Sequence, residues 1–148
     1  FINQGWPGRE EILARYFLEQ ECGEREVLVA EVEGALAGYI TILPCAKQGP
    51  FAEIYPELSD FNVFEPFQNQ GIGNLLMEEA EKRVRLISDK VTLGVGLHSG
   101  YGPAQRLYIK RGYIPDGSGV WYQNHQPAMN AVCEDIGELV LYLSKNLF

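Results

Sequence analysis

The chain has 148 residues, of which 46% are apolar and 22% charged, a composition typical of one soluble globular domain that excludes disordered, collagen-like and coiled-coil chains. The net charge of −8 comes from residues 1–65, which hold 12 acidic and 4 basic residues, whereas residues 66–148 hold 8 of each. Without a basic face, a membrane-length apolar run or a signal peptide, we expect a cytoplasmic protein that binds neither nucleic acid nor membrane.

The first part of the chain predicts one helix followed by three strands. Residues 9–20 carry apolar side chains at helical spacing. Two β-rich runs, residues 26–32 and 36–43, are separated by a short turn that contains glycine, which predicts an antiparallel hairpin. Residues 58–64 predict a third strand.

The second part alternates strands and helices. The strongest helix is predicted over residues 71–87, because its apolar residues recur near every 3.6 positions and form one stripe. These residues are Ile72, Leu75, Leu76, Ala80, Val84 and Ile87. A strand over 91–97, a helix over 103–111 that Gly112 ends, and strands over 120–123 and 138–143 follow. This alternation indicates a mixed α/β sheet with a parallel crossover.

The cysteines and histidines exclude two classes of site. Cys22, Cys45 and Cys133 are odd in number, widely spaced and in no C-x-x-C pair, which predicts reduced thiols on small buried side chains. His98 and His125 are isolated in the sequence. We therefore expect neither a disulfide framework nor a metal site.

An anion-binding segment is predicted where the third strand leads into the long helix. Residues 68–73 read Gln-Asn-Gln-Gly-Ile-Gly. The first N–H groups of a helix have no intrahelical partner and attract phosphate, and Gly71 and Gly73 carry no Cβ that would hold a phosphate away. A glycine pair alone also fits a simple turn before a helix.

Two segments together resemble the GNAT superfamily of acetyl-CoA-dependent N-acetyltransferases. Residues 68–73 resemble its Q/R-x-x-G-x-G/A signature, and residues 104–113 (Ala-Gln-Arg-Leu-Tyr-Ile-Lys-Arg-Gly-Tyr) resemble its A-x-x-(F/L)-Y-x-K-x-G-(F/Y) signature. The resemblance implies one N-acetyltransferase domain over residues 1–148. Its fold would be a mixed, mostly antiparallel sheet with a central parallel strand pair and flanking helices, without the family's first strand.

The resemblance also implies a reaction and its participants. An acetyl group would pass from acetyl-CoA, the co-substrate, to a primary amine of a small molecule or peptide by direct attack in a ternary complex without metal. The main chain of Phe61 and Val63 would contact the pantetheine arm and thioester. The cofactor-binding loop would comprise Gln68, Asn69, Gln70, Gly71, Ile72, Gly73 and Asn74, with N–H groups of residues 70–74 on the pyrophosphate.

Three side chains are candidates for catalysis. By resemblance, Tyr108 protonates the leaving thiolate, although its place beside Leu107 also suits a core aromatic. Glu57, 11 positions before Gln68, or Asp60 would take the proton of the acceptor amine. In a regular strand these two carboxylates face opposite sides, so one of them would face the acceptor.

One position departs from the family pattern. Tyr101 stands where many members have an asparagine that contacts CoA. This departure puts that contact in doubt.

Alternatives to catalysis follow from the same residues. A noncatalytic acyl-CoA-binding or regulatory module could use the same fold. The glycines of residues 94–100 do not form a dinucleotide fingerprint, and no P-loop sequence is present.

The acidic first part of the chain is either a solvated surface or a surface that attracts a cationic acceptor. The sequence leaves the oligomeric state open, and a homodimer is one of the possibilities.

Overall fold

The structure is a computed structural model that describes residues 9–148. These residues form three helices: α1 (Arg9–Glu21), α2 (Ile72–Arg85) and α3 (Gly102–Lys110). They also form six strands: β1 (Glu26–Val32), β2 (Ala35–Leu43), β3 (Glu57–Val63), β4 (Lys90–Gly96), β5 (Ile114–Tyr122) and β6 (Leu139–Asn146). The sheet order is β1-β2-β3-β4-β6-β5, with one parallel pair among antiparallel ones, and this confirms the predicted mixed sheet. The part of the chain before α1, where the family's first strand would lie, falls outside the described residues.

The described residues group into two compact units. The first unit comprises residues 9–44 and 58–87 and holds α1, β1, β2, α2 and nearly all of β3. The second comprises residues 45–57 and 88–148 and holds β4, α3, β5 and β6.

The hairpin of the first unit forms as predicted. β1 pairs antiparallel with β2 from Glu26 opposite Ile42 to Val32 opposite Ala35. The two turn residues, Glu33 and Gly34, both have positive φ (51° and 83°), which suits the right-handed twist of the flanking strands. A buried cluster beside this hairpin joins α1 to the strands and contains Leu13, Tyr16, Tyr39 and Phe64.

The buried stripe of α2 differs from the predicted one. The buried residues of the helix are Ile72, Leu76, Met77, Ala80, Glu81 and Val84. Leu75 and Ile87, assigned to the stripe from the sequence, are 64% and 61% exposed. The spacing identified the helix and most of its buried face. On the helix surface, however, this face includes Met77 at one edge and excludes Leu75 at the other.

The second unit is built around β6. This strand pairs antiparallel with β4 over its whole length, from Lys90 opposite Asn146 to Gly96 opposite Val140. On its other edge it pairs with β5, with a register shift between Pro115 and Val120. β5 begins six residues before the predicted strand, because a run rich in proline and glycine lacks the alternating pattern that would have revealed it.

The predicted burial of the cysteines was wrong. Cys22 and Cys45 are exposed and Cys133 is half-buried, so none of them fills the core. In residues 9–148 no helix is long and apolar enough to cross a membrane.

Candidate functional site

The loop before α2 has the backbone geometry of an open helix N-terminus. Gly71 is the N-cap of α2 and has φ 81°, a left-handed conformation that only glycine adopts without strain. Because glycine has no side chain, Gly71 makes no side-chain hydrogen bond to the N–H groups of the first turn. Asn69 is also left-handed (φ 63°), and the buried side chain of Ile72 anchors the first turn. Gly71 therefore offers no capping side chain to the N–H groups at this end of the helix.

Gln68 attaches the loop to the end of β3, and Gln70 attaches it to the segment that follows this strand. The Gln68 side-chain amide donates to the Val63 carbonyl at 2.9 Å, and the Gln70 amide donates to the Pro66 carbonyl at 3.3 Å. The first glutamine of the signature thus ties the loop to the strand that precedes it. One main-chain group of Val63, its carbonyl, already serves this internal contact.

The strand that carries Asp60, Phe61 and Val63 is irregular at Asp60. Asp60 has φ 55° although it lies inside β3, so the alternation assumed from the sequence breaks at this residue. Its Oδ2 atom accepts hydrogen bonds from the hydroxyls of Tyr16 (2.9 Å) and Tyr39 (3.1 Å). Both tyrosines belong to the buried cluster of the first unit.

Tyr108 lies in the last turns of α3 and is only 8% exposed. Its ring lies 6.0 Å from the ring of Tyr113, which follows the helix, and its carbonyl accepts the Tyr113 N–H at 3.0 Å. Burial raises the pKa of Tyr108 to about 12. The side chain is therefore a neutral phenol, a proton donor and not a base, across the physiological range.

Sequence reasoning missed Tyr142, a buried residue whose hydroxyl interacts electrostatically with Glu57. The Tyr142 ring packs directly on the backbone of Gly49 and Gly94, since a Cβ on either glycine would come within 3 Å of the ring. The Trp121 ring meets it edge-on at 5.8 Å between centroids. Burial, followed by the charge of Glu57, raises the pKa of Tyr142 to about 12. No local pattern in the sequence links Gly49, Gly94 and Tyr142.

The start of β3 is held in place by β4. The Pro56 carbonyl, next to Glu57, accepts both the N–H (3.1 Å) and the hydroxyl (2.8 Å) of Thr92. Gly94, two residues further on β4, stands opposite Tyr142 on β6. The residue before Glu57 is therefore tied to β4, the strand that pairs with the strand of Tyr142.

Tyr101, which replaces the asparagine of many family members, has a structural role in the second unit. Its ring covers Gly96 at the end of β4, and its hydroxyl lies 3.2 Å from the position that a Cβ on Gly137 would occupy. The Gln105 side chain donates to the Gly96 carbonyl at 2.8 Å. The short turn before α3 is therefore attached to the end of β4.

The two units divide the predicted site residues. Asp60, Phe61, Val63 and the loop of residues 68–74 belong to the first unit, whereas Glu57 and Tyr108 belong to the second. Among residues 9–148 no cluster of histidine, cysteine or acidic side chains could hold a metal ion.

Comparison with known proteins identifies a family. The family model of the acetyltransferase (GNAT) family matches residues 3–113. No curated protein matches the sequence significantly.

Solved structures resemble this fold over most of their length. A ribosomal-protein-alanine N-acetyltransferase from Brucella melitensis is 23% identical, with a TM-score of 0.67 over 92% of this chain and 77% of its own. A GNAT family acetyltransferase from Elizabethkingia anophelis with acetyl-CoA bound is 19% identical, with a TM-score of 0.61 over 88% and 81%. The PaiA N-acetyltransferase from Thermoplasma acidophilum in complex with coenzyme A is 19% identical, with a TM-score of 0.61 over 92% and 70%. At these identities the likeness shows the fold.

The burial of Tyr108 predicts a titration result. At about pH 10 an ordinary tyrosine is half ionised, whereas a phenol whose pKa is about 12 is about 1% ionised. The near-ultraviolet phenolate absorbance of the Tyr108→Phe variant at that pH should therefore equal that of the unmodified protein. A deficit of about half a phenolate in the variant would show that Tyr108 titrates like an exposed tyrosine.

Proposed function

Because the chain belongs to the GNAT acetyltransferase family, we propose that it transfers an acetyl group from acetyl-CoA to a primary amine of a small molecule or peptide. The reaction proceeds by direct attack within a ternary complex and needs no metal. One N-acetyltransferase domain, residues 1–148, carries it out in the cytoplasm.

The observation that carries the proposal is the start of α2. Gly71 at the N-cap has no side chain that could cap the first turn of the helix, and the helix dipole adds partial positive charge there. Gln68 and Asn69 shape the loop, and the N–H groups from Gln70 to Asn74 bind the pyrophosphate of acetyl-CoA. No lysine or arginine lies within residues 68–74, so main-chain groups supply the attraction.

Transfer requires one proton to leave the acceptor and one to reach the cofactor. The nitrogen of a neutral amine attacks the thioester carbonyl, a C–N bond forms, the C–S bond breaks, and CoA leaves as a thiolate. Main-chain groups of Phe61 and Val63 hold the pantetheine arm and thioester. An amine that arrives as an ammonium ion must first lose a proton.

Tyr108 stabilises the thiolate mainly as a hydrogen-bond donor. Its pKa of about 12 exceeds that of a thiol, about 8.5, so complete proton transfer in water would be uphill by about 5 kcal/mol. A neutral phenol that donates a hydrogen bond to the departing sulfur lowers the barrier without that full cost. The proton that finally reaches CoA can come from Tyr108, from the positively charged nitrogen of the tetrahedral intermediate or from solvent.

Glu57 is the carboxylate best supported as the proton acceptor. It lies at the start of β3, held through Pro56, and its charge acts on the buried Tyr142 beside it. Residues 1–65 carry all of the excess negative charge, and this charge attracts a cationic amine over roughly 8 Å at physiological ionic strength. We therefore favour a cationic acceptor.

The first test concerns the loop. Gly73→Val places a branched side chain in the first turn of α2, where the pyrophosphate would lie, and should abolish acetyl-CoA binding measured by calorimetry. Glu78→Val is the matched control, since it adds the same side chain to an exposed position further along α2. The control should bind normally, and unchanged affinity in Gly73→Val with retained folding would overturn the loop assignment.

The second test concerns turnover. Tyr108→Phe keeps the buried ring but removes the donor, so kcat should fall by about 100- to 10,000-fold while acetyl-CoA affinity changes little. Tyr113→Phe removes the hydroxyl of the neighbouring ring and should leave kcat nearly unchanged. A wild-type rate in Tyr108→Phe would mean that the thiolate leaves without help from this residue.

Acetyl-CoA binding without transfer to any amine in the unmodified protein would instead indicate a noncatalytic acyl-CoA-binding module.

A further inference from the structure

Asp60 holds an unusual place in the first unit, because it has a left-handed backbone inside a strand. Aspartate and asparagine are the non-glycine residues that tolerate this conformation best, yet it remains costly in a strand. Its φ of 55° redirects the chain immediately before Phe61. Some feature of the surroundings must hold this conformation.

Two buried hydroxyls from separate elements supply that restraint. Tyr16 on α1 and Tyr39 on β2 donate to the same oxygen of Asp60, Oδ2, at 2.9 and 3.1 Å. The two tyrosines are 6% and 0% exposed, so their positions are set by packing. Burial and the neighbouring Asp60 raise the pKa of Tyr16, which therefore remains a donor.

The residue before Asp60 is also restrained. The Ser59 carbonyl accepts a hydrogen bond from the Thr41 hydroxyl, which in turn accepts one from the Arg25 guanidinium at 2.6 Å. The same guanidinium pairs with Glu19 at 2.6 Å and lies 4.2 Å above the centre of the Tyr16 ring. One network thus connects α1, Arg25 in the loop before β1, and β2 with residues 59 and 60 of β3.

We propose that Asp60 is a positioning residue: the hydroxyls of Tyr16 and Tyr39 hold its carboxylate, and this clamp fixes the left-handed turn that directs the main-chain groups of Phe61 and Val63 toward the acetyl thioester. The inference rests on the proposed function. It assigns Asp60 a positioning role in place of the proton-acceptor role, because two tyrosine hydroxyls already bind its Oδ2 atom. Glu57 then remains the candidate for that step.

Three substitutions at Asp60 separate the two roles. Asp60→Asn tolerates positive φ, and one amide oxygen can replace Oδ2 as the acceptor of both hydroxyls, but it cannot act as a base. Asp60→Gly tolerates positive φ but removes the clamp. Asp60→Ala loses both the clamp and the conformational tolerance. The double variant Tyr16→Phe with Tyr39→Phe removes the clamp and leaves the carboxylate in place.

The experiment compares kcat/KM for acetyl-CoA, its pH profile, and the affinity for 3′-phospho-ADP, which has the pyrophosphate but no pantetheine arm. Asp60→Asn should keep kcat/KM within about twofold and the same pH profile. Asp60→Gly and the double tyrosine variant should each lose about 10- to 100-fold in kcat/KM, because small misplacements of reacting groups are costly. Asp60→Asn, Asp60→Gly and the double tyrosine variant should each keep the affinity for 3′-phospho-ADP, which reports an intact phosphate loop.

Two results would overturn the inference. The first is loss of activity in Asp60→Asn together with loss of a limb of the pH profile, which would identify Asp60 as the base. The second is wild-type kcat/KM in Asp60→Gly, which would show that the clamp positions nothing. Failure of the unmodified protein to bind acetyl-CoA would instead overturn the proposed function, and with it the ligand on which the clamp is proposed to act.

Discussion

The left-handed turns between Asp60 and Gly71 determine where the main-chain groups of the first unit point. Three residues in this stretch, Asp60, Asn69 and Gly71, have positive φ, and each changes the direction of the chain at a different step. The first redirects β3, and the other two bring the chain into α2 with its N–H groups uncapped by side chains. A site that binds its ligand through the backbone depends on such turns, because N–H direction follows from φ and ψ.

The left-handed conformation is maintained differently at Gly71 and at Asp60. Gly71 needs no restraint, since glycine adopts the left-handed conformation without strain. Asp60 requires the hydroxyls of Tyr16 and Tyr39, which belong to the buried cluster that also packs α1 against the hairpin. Core packing and site geometry are therefore linked in the first unit, and a change in α1 can reach β3 through one hydrogen bond.

The second unit contains two buried tyrosines whose hydroxyls have raised pKa values and therefore remain protonated hydrogen-bond donors. Burial raises the pKa of Tyr108 and of Tyr142 to about 12, and in Tyr142 the charge of Glu57 adds to the effect. Tyr142 remains neutral beside a carboxylate, with its ring fixed on Gly49 and Gly94. The Tyr142 hydroxyl therefore stays protonated and neutral and does not repel the charge of Glu57.

Sequence reasoning succeeded where the signal is local. The hairpin and α2 follow from spacing and turn residues, and their bounds differ from the structure by one or two residues. It failed for features set by distant parts of the chain. The left-handed Asp60 and the packing of Tyr142 involve partners 21 to 93 positions away in the sequence, which no periodicity encodes.

The most direct test of the account is to map acetyl-CoA on the backbone by amide chemical shifts. Titration of the isotope-labelled protein with acetyl-CoA should move the amide signals of Gln70 to Asn74 and of Phe61 and Val63 most strongly. Titration with 3′-phospho-ADP should move only the group from Gln70 to Asn74. Large shifts confined to other residues, with these amides unmoved at saturation, would contradict the account.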